Sequence, residues 1–254
     1  MTVATRVGRV EAIYQDALVN YLVSMARMVE TNVSRALDAL LRRGDSAAAE
    51  LPGQVFLAEP RINEMEIVID EHAVRLLHSG NLQDIEIRQV VAAIKINNDL
   101  ERMGDLAVNV AERVTSLAQM PAVEMPLELK PMAATVRAMV TKSLGALIFR
   151  NVVLAGEILE SDDIVDSYRD QLFERLLAGM KENPQQVGPN MQFILATRYL
   201  ERIADHATNI AEDIIFWLRG LDVRHGRARL AASEPSEAVI ENSLRRDAAL
   251  TQEE

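Results

Sequence analysis

The chain has 254 residues, of which 49% are hydrophobic and 4% aromatic, and its formal net charge is −11. This length and apolar fraction are sufficient for one large domain or two small ones. The negative charge opposes binding to nucleic-acid phosphates and no basic cluster offsets it, so we expect no nucleic-acid partner. Because the sequence contains no cysteine, disulfides and thiolate metal sites are excluded, and any metal must be bound by oxygen or histidine ligands.

The composition favours an all-helical protein. Ala, Leu, Val, Ile and Met are abundant, whereas there are only eight Pro and eleven Gly, a balance typical of helices rather than strands. Apolar residues at three- and four-residue spacing predict six main helices. These cover residues 10–43, 61–79, 82–118, 131–155, 162–181 and 187–220. The proline-containing segment 120–131 is predicted to join two similar halves.

The ends of the chain and its most apolar stretch indicate where the protein resides. The N-terminal residues mix charges with single apolar residues and lack the apolar core of a signal peptide, so we expect a cytoplasmic protein. The longest apolar stretch, residues 144–159, is interrupted by Arg150, Asn151 and Glu157, which predicts no membrane span. Residues 226–254 lack a sustained apolar period and are interpreted as a polar, mobile tail.

The sequence contains an internal duplication. Residues 97–114 and 197–214 are identical at eight of eighteen positions, at an offset of 201 − 101 = 100. Several other positions exchange only Met, Val and Ile. The duplication predicts one domain over residues 1–120 and a second over residues 121–225, each with three helices.

The third helix of each half carries an acidic stripe. An apolar seam at three- and four-residue spacing, typical of a bundle core, runs along both helices. At about 100° per residue, the polar side chains fall together on a face roughly opposite that seam. They are Glu101, Asp105, Asn109 and Glu112 in the first half, and Glu201, Asp205, Asn209 and Glu212 in the second. This spacing predicts that the stripes lie outside the core.

Two interpretations of the stripes remain open at this point. A single stripe is the ordinary solvated face of an amphipathic helix. However, like charges four residues apart destabilise a bare helix by roughly a few tenths of a kcal/mol. The stripes recur at the same phase in both halves, whereas the neighbouring pairs Leu106/His206 and Val108/Thr208 differ. This recurrence favours a bound cation that offsets the repulsion.

The second helix of each half supplies further oxygen atoms. Four polar residues share one face of the first of these helices, and two acids occupy the comparable part of the second. They are Glu59, Asn63, Glu66 and Asp70, and then Asp162 and Asp166. Two helices of one half are therefore able to share an ion. Oxygen ligands suit Mg, Mn, Ca or iron better than structural zinc, and the spacing does not choose among them.

Over residues 7–225 the sequence resembles the PhoU family. Both halves carry the hallmark of that family, Glu-Arg-(Ile/Met)-(Gly/Ala)-Asp followed by Asn-(Ile/Val)-Ala-Glu. Residues 62–71 are similar to the second-helix signature of the family, and residues 220–225 are similar to its closing segment. The resemblance implies an all-α fold of two tandem three-helix bundles, similar to spectrin repeats and related by internal duplication.

The resemblance also implies clusters of metal ions, iron or zinc in relatives, held on the bundle surface. The best ligand candidates are Glu101, Asp105, Glu201 and Asp205, with Asn109 and Asn209 one turn further along. Weaker candidates are Asn63, Glu66, Asp70, Asp162 and Asp166. The second half has Arg169 where the alignment of the second helices places Glu66, so we expect the two metal sites to differ.

In the PhoU family the protein is a negative regulator of the phosphate-starvation response and of phosphate uptake. It links the high-affinity phosphate ABC transporter to a sensor histidine kinase. The resemblance therefore implies a non-enzymatic adaptor that contacts the transporter ATPase and the kinase, with bound metal stabilising its surface. Its long amphipathic helices are also compatible with a homodimer.

Two other classes of protein compete with this interpretation. A ferritin-like di-iron oxidase needs inward-facing Glu-x-x-His pairs, which this sequence lacks. A plain helical scaffold would tolerate neutralisation of all four best ligand candidates. The four histidines, at 72, 78, 206 and 225, share no metal-binding spacing and are interpreted as surface residues. No Gly-rich phosphate loop supports nucleotide binding.

Overall fold

The structure, a computed structural model, describes residues 3–80 and 82–224, with side chains from residue 17 onward. Within these ranges the chain forms seven α-helices and two short 3-10 helices, and no strand. The α-helices are α1 (Val3–Leu41), α2 (Leu51–Ser79), α3 (Asp84–Ala118), α4 (Leu129–Phe149), α5 (Val152–Leu159), α6 (Asp162–Glu182) and α7 (Val187–Arg219). The predicted all-α class is confirmed. The tail predicted over 226–254 lies outside the described residues.

Helices α1, α2 and α3 pack against one another as the N-terminal bundle. Its core follows the predicted spacing: along α3, every residue of the apolar seam is buried. These residues are Leu100, Met103, Ala107, Val110 and Val114. Gly104 lies on the same side of α3, and a Cβ atom there would come within 3.3 Å of the Ile62 side chain on α2. The glycine therefore allows α2 and α3 to approach closely, next to the acidic residues of both helices.

The predicted start of α2 at residue 61 is wrong, because the helix begins ten residues earlier, at Leu51. Pro52 lies in the first turn, where the backbone N–H has no acceptor within the helix and its absence in proline costs little. Pro60 lies inside the helix on its exposed side. Val55 and Ile62, on either side of Pro60, are both fully buried. Because this face is buried, the helix continues past Pro60, although a proline at this position would break an isolated helix.

Helices α4 to α7 form the C-terminal bundle, in which the single helix predicted over residues 131–155 is wrong. The chain breaks at Arg150, which takes a left-handed conformation with φ of 48° and whose guanidinium lies 5.2 Å from the centre of the Trp217 ring. Asn151 then starts α5, because its side chain accepts hydrogen bonds from the backbone of Val153 and Leu154. Periodicity alone missed this break, since α5 continues with apolar residues.

Helix α4 is the one described helix whose length and composition would suffice to cross a bilayer, and 44% of its most apolar window is buried within the protein. Met132, Val136 and Met139 are all at most 1% exposed. The helix packs against α1, α6 and α7. Its apolar composition is therefore accounted for by its place in the core of the C-terminal bundle.

The two bundles meet along α3 and α7, which lie antiparallel. Lys95 Nζ lies 2.9 Å from Asp213 Oδ1 near one end of the pair, and Arg113 donates to Gln192 at 3.3 Å near the other. Residues 1–222 consequently form one compact unit. Residues 223 and 224 lie outside this unit. The domain boundary at residues 120–121 stays a prediction.

Candidate functional site

The N-terminal bundle brings four predicted ligands together where α2 and α3 approach. We call Glu66 and Asp70 of α2, with Glu101 and Asp105 of α3, the N-terminal acidic cluster. The charge of Glu66 acts on Glu101, and the charges of Asp70 and Asp105 act on Glu66. All four carboxylates therefore belong to one electrostatic group, and the ion that the two helices are predicted to share stays a prediction.

Two asparagines connect this cluster to the backbone and to its neighbours. Asn97, which is 1% exposed, donates to the Glu66 carbonyl at 3.0 Å and to Asp70 Oδ1 at 2.9 Å. Asn63, one of the weaker ligand candidates, donates to Glu59 Oε1 at 2.6 Å. Sequence reasoning missed Asn97 because its counterpart in the second half is Thr197. Its position beside the apolar seam was the available signal.

The N-terminal acidic cluster carries negative charge that the surrounding protein compensates only weakly. Burial, and next the charge of Asp105, raise the pKa of Glu101; burial, and next the charge of Asp70, raise the pKa of Glu66. Arg102 Nε lies 3.4 Å from Glu101 Oε2, but the Arg102 side chain is 53% exposed, and solvent screens such a pair. The buried oxygens Glu101 Oε2 and Asn63 Oδ1 have no hydrogen-bond partner.

The corresponding group in the C-terminal bundle contains Asp162 and Asp166 of α6 with Glu201 and Asp205 of α7, and we call it the C-terminal acidic cluster. Here a guanidinium is already present. Arg169 donates to Glu201 Oε1 at 2.5 Å and to Asp166 Oδ1 at 2.8 Å. The α6 and α7 carboxylates are therefore bridged by a side chain of the protein itself.

The other two acids of the C-terminal acidic cluster are less well compensated. Burial, and next the charge of Asp166, raise the pKa of Asp162. Desolvation, and next the charge of Glu201, raise the pKa of Asp205 to about 6; because Asp205 is nonetheless exposed, solvent screens part of this effect. Thr208 Oγ1 donates to Asp162 at 3.4 Å, a long hydrogen bond.

The glutamates that begin the two stripes lie outside the core but are partly covered. The Glu101 side chain is 14% exposed and that of Glu201 is 20% exposed, because α2 and α6 cover them. Further along the first stripe the side chains are more exposed, 38% for Asp105 and 49% for Glu112. The glutamates are thus held between two helices of one bundle rather than on an open face.

The amide members of the stripes separate from the acids. Asn209 donates its Nδ2 to Asp99 Oδ1 at 3.2 Å, across the junction of α3 and α7. Asn109 is half-buried on α3, about 12 Å from Glu101 at the rise of an α-helix. Asn209 therefore contributes to the contact between the bundles, and its role as a metal ligand stays a prediction.

His206 is not the surface residue that the sequence suggested. Its Nδ1 lies 2.7 Å from Asp99 Oδ1, and the side chains of His206 and Asp99 are 16% and 10% exposed. Sequence reasoning treated the difference between Leu106 and His206 as drift. Instead, His206 lies at the junction of α3 and α7. A residue at this junction must fit its partner on the other helix, so it need not match the corresponding residue of the other half.

Within each cluster the acids are near one another, but their oxygens are not arranged around a single point where an ion would bind. Within residues 3–80 and 82–224, no group of three or more His, Cys, Asp or Glu side chains is arranged to hold a metal ion. The described side chains therefore supply acidic, partly desolvated oxygens on paired helices. Their convergence on one point would require changes of rotamer.

This fold and these clusters define a class of protein: two related three-helix bundles that each place carboxylates between their second and third helices. The PhoU domain matches the chain twice, over residues 22–114 and 129–214. The phosphate-specific transport system accessory protein PhoU homolog of Pseudomonas putida is 34% identical over 226 residues, 87% of this chain and 86% of that protein. Its counterpart from Pseudomonas aeruginosa is 35% identical over 209 residues, 81% of this chain and 84% of that protein.

Solved structures agree with this similarity. The crystal structure of PhoU from Pseudomonas aeruginosa superposes with a TM-score of 0.79 at 31% identity, covering 83% of this chain and 99% of that one. The phosphate transport system regulatory protein PhoU from Streptococcus pneumoniae, at 24% identity, shares the fold with a TM-score of 0.75, over 84% of this chain and 99% of that one. The chain belongs to the PhoU family.

Proposed function

We propose that this protein is an accessory regulator of phosphate-specific transport that represses the phosphate-starvation response when phosphate is plentiful. The observation that carries the proposal is the double match to the PhoU domain, together with relatives named as transport-system accessory proteins over four-fifths of the chain. In this role the protein is a cytoplasmic adaptor without a catalytic step. Its helical faces contact the transporter ATPase and a sensor histidine kinase, as a monomer or a homodimer.

The second part of the proposal is that the N-terminal acidic cluster binds a divalent cation. Four carboxylates share this region, and burial and mutual repulsion raise the pKa of both glutamates. Asn63 Oδ1 and Glu101 Oε2 are buried without a hydrogen bond, which is costly, and the cation nearest to Glu101 Oε2 is the exposed Arg102, whose Nε lies 3.4 Å away. A hard cation such as Mn, Mg, Ca or iron(II), or zinc, would supply further positive charge. Glu66, Asp70, Glu101 and Asp105 are the residues that would hold it.

The regulatory part is tested with a phosphate-starvation reporter in the source organism, grown in excess phosphate. Deletion of the gene is expected to derepress the reporter, and restoration of the wild-type gene is expected to repress it again. A reporter that stays silent after deletion would contradict the regulator assignment. Two-hybrid or co-purification experiments with the transporter ATPase and the kinase then determine which of them the adaptor contacts.

The same reporter separates an adaptor that requires its acidic clusters from a plain scaffold. The variant Glu101→Gln/Asp105→Asn removes two charges from the N-terminal acidic cluster, whereas Glu64→Gln removes an exposed charge from α2 outside it. We expect the double variant to complement poorly and Glu64→Gln to complement fully. Full complementation by both would support the scaffold interpretation and contradict a role for the cluster in regulation.

Metal binding is tested separately by titrating the purified, chelator-treated protein with Mn²⁺ and following free Mn²⁺ by electron paramagnetic resonance. Zn²⁺ and anaerobic Fe²⁺ are titrated in parallel by equilibrium dialysis. The expected result is stoichiometric binding that Glu101→Gln/Asp105→Asn removes and Glu64→Gln does not. Binding that both variants retain would place the metal elsewhere and contradict this part of the proposal.

A further inference from the structure

The second helices of the two bundles differ at the positions that face their third helices. At the offset 169 − 66 = 173 − 70 = 103, Arg169 takes the place of Glu66 and Phe173 takes the place of Asp70. On the third helices, at the offset of 100, Thr197 and Arg198 take the places of Asn97 and Asn98. At these positions the C-terminal bundle therefore lacks two carboxylates and has two additional guanidinium groups near Glu201. Its second helix carries acids at other positions instead, since Asp166 takes the place of Asn63 and Asp170 that of Ile67.

Arg169 bridges carboxylates of α6 and α7. Its Nη1 contacts both Glu201 Oε1 at 2.5 Å and Asp166 Oδ1 at 2.8 Å, and its Nε donates to Asp170 Oδ1 at 3.0 Å. The side chain is 29% exposed, so these contacts are only partly screened. The hydrogen bonds with Asp170 and Glu201 raise the pKa of Arg169 still further, and the guanidinium is permanently charged.

The space beside Arg169 is also unlike a cation site. A cavity of about 310 Å³ adjoins the guanidinium and is lined by the residues of both substituted helices. These are Arg169, Phe173, Ile194, Thr197, Arg198 and Glu201. In the N-terminal bundle the residue at the place of Phe173 is Asp70, which accepts the hydrogen bond from Asn97. A phenyl ring and a second guanidinium offer no oxygen ligands, and they disfavour a divalent cation.

We propose that Arg169 is a built-in cation that replaces the metal ion in the C-terminal bundle, so that the metal binding of this chain is confined to the N-terminal acidic cluster. The inference rests on the proposed metal binding by that cluster. Arg169 joins α6 to α7 as a bound ion would, but it does so independently of the metal supply. Only the junction of α2 and α3 then responds to the concentration of divalent cations.

The test compares Mn²⁺ binding by the full chain and four variants, measured by electron paramagnetic resonance. Glu101→Gln is expected to weaken binding by the wild-type protein about tenfold or more, whereas Glu201→Gln is expected to change it less than twofold. Arg169→Glu restores the residue type of the N-terminal bundle and is expected to add a second binding equivalent. That equivalent is expected to disappear in the double variant Arg169→Glu/Glu201→Gln. Circular dichroism confirms that each variant is folded.

The outcomes separate this inference from the proposal on which it rests. If Glu201→Gln weakens wild-type binding as much as Glu101→Gln, the C-terminal cluster already binds metal and the inference is overturned. If Arg169→Glu gains no binding, Arg169 is not what excludes the ion, and the inference is again overturned. If the wild type binds nothing while Arg169→Glu binds Mn²⁺ through Glu201, the exclusion of the ion by Arg169 is supported, whereas the N-terminal site and the confinement of metal binding to it are refuted.

A second measurement serves if Arg169→Glu does not fold. The milder variant Arg169→Gln removes the guanidinium without adding a charge, and it is made in the Glu101→Gln background. Mn²⁺ is expected to raise the melting temperature of this double variant but not that of Glu101→Gln alone. Equal responses of the two proteins would contradict replacement of the metal by Arg169.

Discussion

At the scale of single residues, the two halves use the same acids in different electrostatic settings. Glu101 and Glu201 occupy corresponding positions, but Glu101 has a buried oxygen without a donor, whereas Glu201 accepts from Arg169. One substitution on the facing helix accounts for this difference. A charged residue on a duplicated helix therefore cannot be assigned a role until the helix packed against it is considered.

The raised pKa of Asp205 predicts a pH-dependent stability of the metal-free protein. The pKa of this carboxyl is about 6 in the folded protein and lies near its ordinary value of 3.8 in the unfolded chain. The folded state therefore binds the proton more tightly, and the stability that this proton contributes is lost as the pH rises from about 4 through about 6. In Asp205→Asn this loss is absent, so above pH 6 the variant is expected to be the more stable by about 1 kcal/mol, discounted for solvent screening.

Urea unfolding of the chelator-treated proteins at several pH values measures this difference. Glu174→Gln, which removes an exposed charge from α6, is the control for general effects of losing a carboxylate. The stability gap between Asp205→Asn and the wild type is expected to widen between pH 4 and pH 7. A gap that is constant across this range would contradict the raised pKa of Asp205.

Asp99 is predicted to be a stabilising residue at the junction of the bundles. Its Oδ1 lies 2.7 Å from His206 Nδ1 and accepts from Asn209 Nδ2 at 3.2 Å. Asp99→Ala leaves both partners without this acceptor in a partly buried place, which is expected to cost about 1–3 kcal/mol of unfolding free energy. Asp99→Asn keeps an oxygen and should cost less. Equal losses in the two variants, measured by urea unfolding, would contradict this role of the acceptor.

At the scale of the helices, the sequence predicted that the helices exist better than it predicted where they begin and end. The period of three and four residues identified α3, α6 and α7 to within two residues at each end, because these helices have a regular apolar seam. It missed the early start of α2, where burial of Val55 stabilises a segment that contains two prolines. It also missed the break at Arg150, which depends on local backbone geometry and on a contact with Trp217.

For the candidate site, the sequence predicted which acids share a region but not every contact that they and their neighbours make. Recurrence of the motif predicted which acids share a region, and α2 and α3 bring Glu66, Glu101 and Asp105 into one electrostatic group. The role of Asn209 was not predictable, because the period places it on the acidic stripe and only packing reveals its contact with Asp99. Helical phase fixes the direction of a side chain, but not which neighbour covers it.

The break between α4 and α5 predicts the importance of the residue that starts the second helix. The Asn151 side chain accepts from the backbone N–H groups of Val153 at 2.9 Å and Leu154 at 3.3 Å. Asn151→Ala leaves these groups without their cap and is expected to destabilise the protein by about 1 kcal/mol. Asn151→Asp retains the acceptor. Its unfolding free energy is expected to stay within roughly a few tenths of a kcal/mol of the wild-type value, because Asn and Asp are equivalent caps. If thermal unfolding finds the two variants equally destabilised, the cap is not the cause.

At the scale of the whole molecule, the bundles are parts of one compact unit. The junction of α3 and α7 contains the pairs Asp99–His206 and Lys95–Asp213, and α1 and α4 add a hydrogen bond from Thr141 to Glu30 at 2.7 Å. Such a junction transmits the stability of one bundle to the other. This coupling bears on the proposed adaptor role, because a cation held by α2 and α3 would then also affect surfaces formed by the C-terminal bundle.

This coupling predicts that the two bundles unfold together. Trp217, the single tryptophan of the chain, is 4% exposed on α7 and reports only on the C-terminal bundle. Leu37 is fully buried on α1, so Leu37→Ala creates a cavity in the N-terminal bundle and is expected to cost about 2–5 kcal/mol. If the bundles are coupled, the urea midpoint followed by Trp217 fluorescence falls together with the midpoint followed by circular dichroism.

The matched control is Leu57→Ala on α2, which truncates a leucine that is 80% exposed and is expected to shift neither midpoint by much. Independent bundles would give a different result for Leu37→Ala. The circular dichroism transition would divide into two steps, and the Trp217 transition would remain at its wild-type midpoint, because the cavity lies in the other bundle. Coincident shifts of both signals would instead show that the junction of α3 and α7 makes the duplicated fold a single cooperative unit.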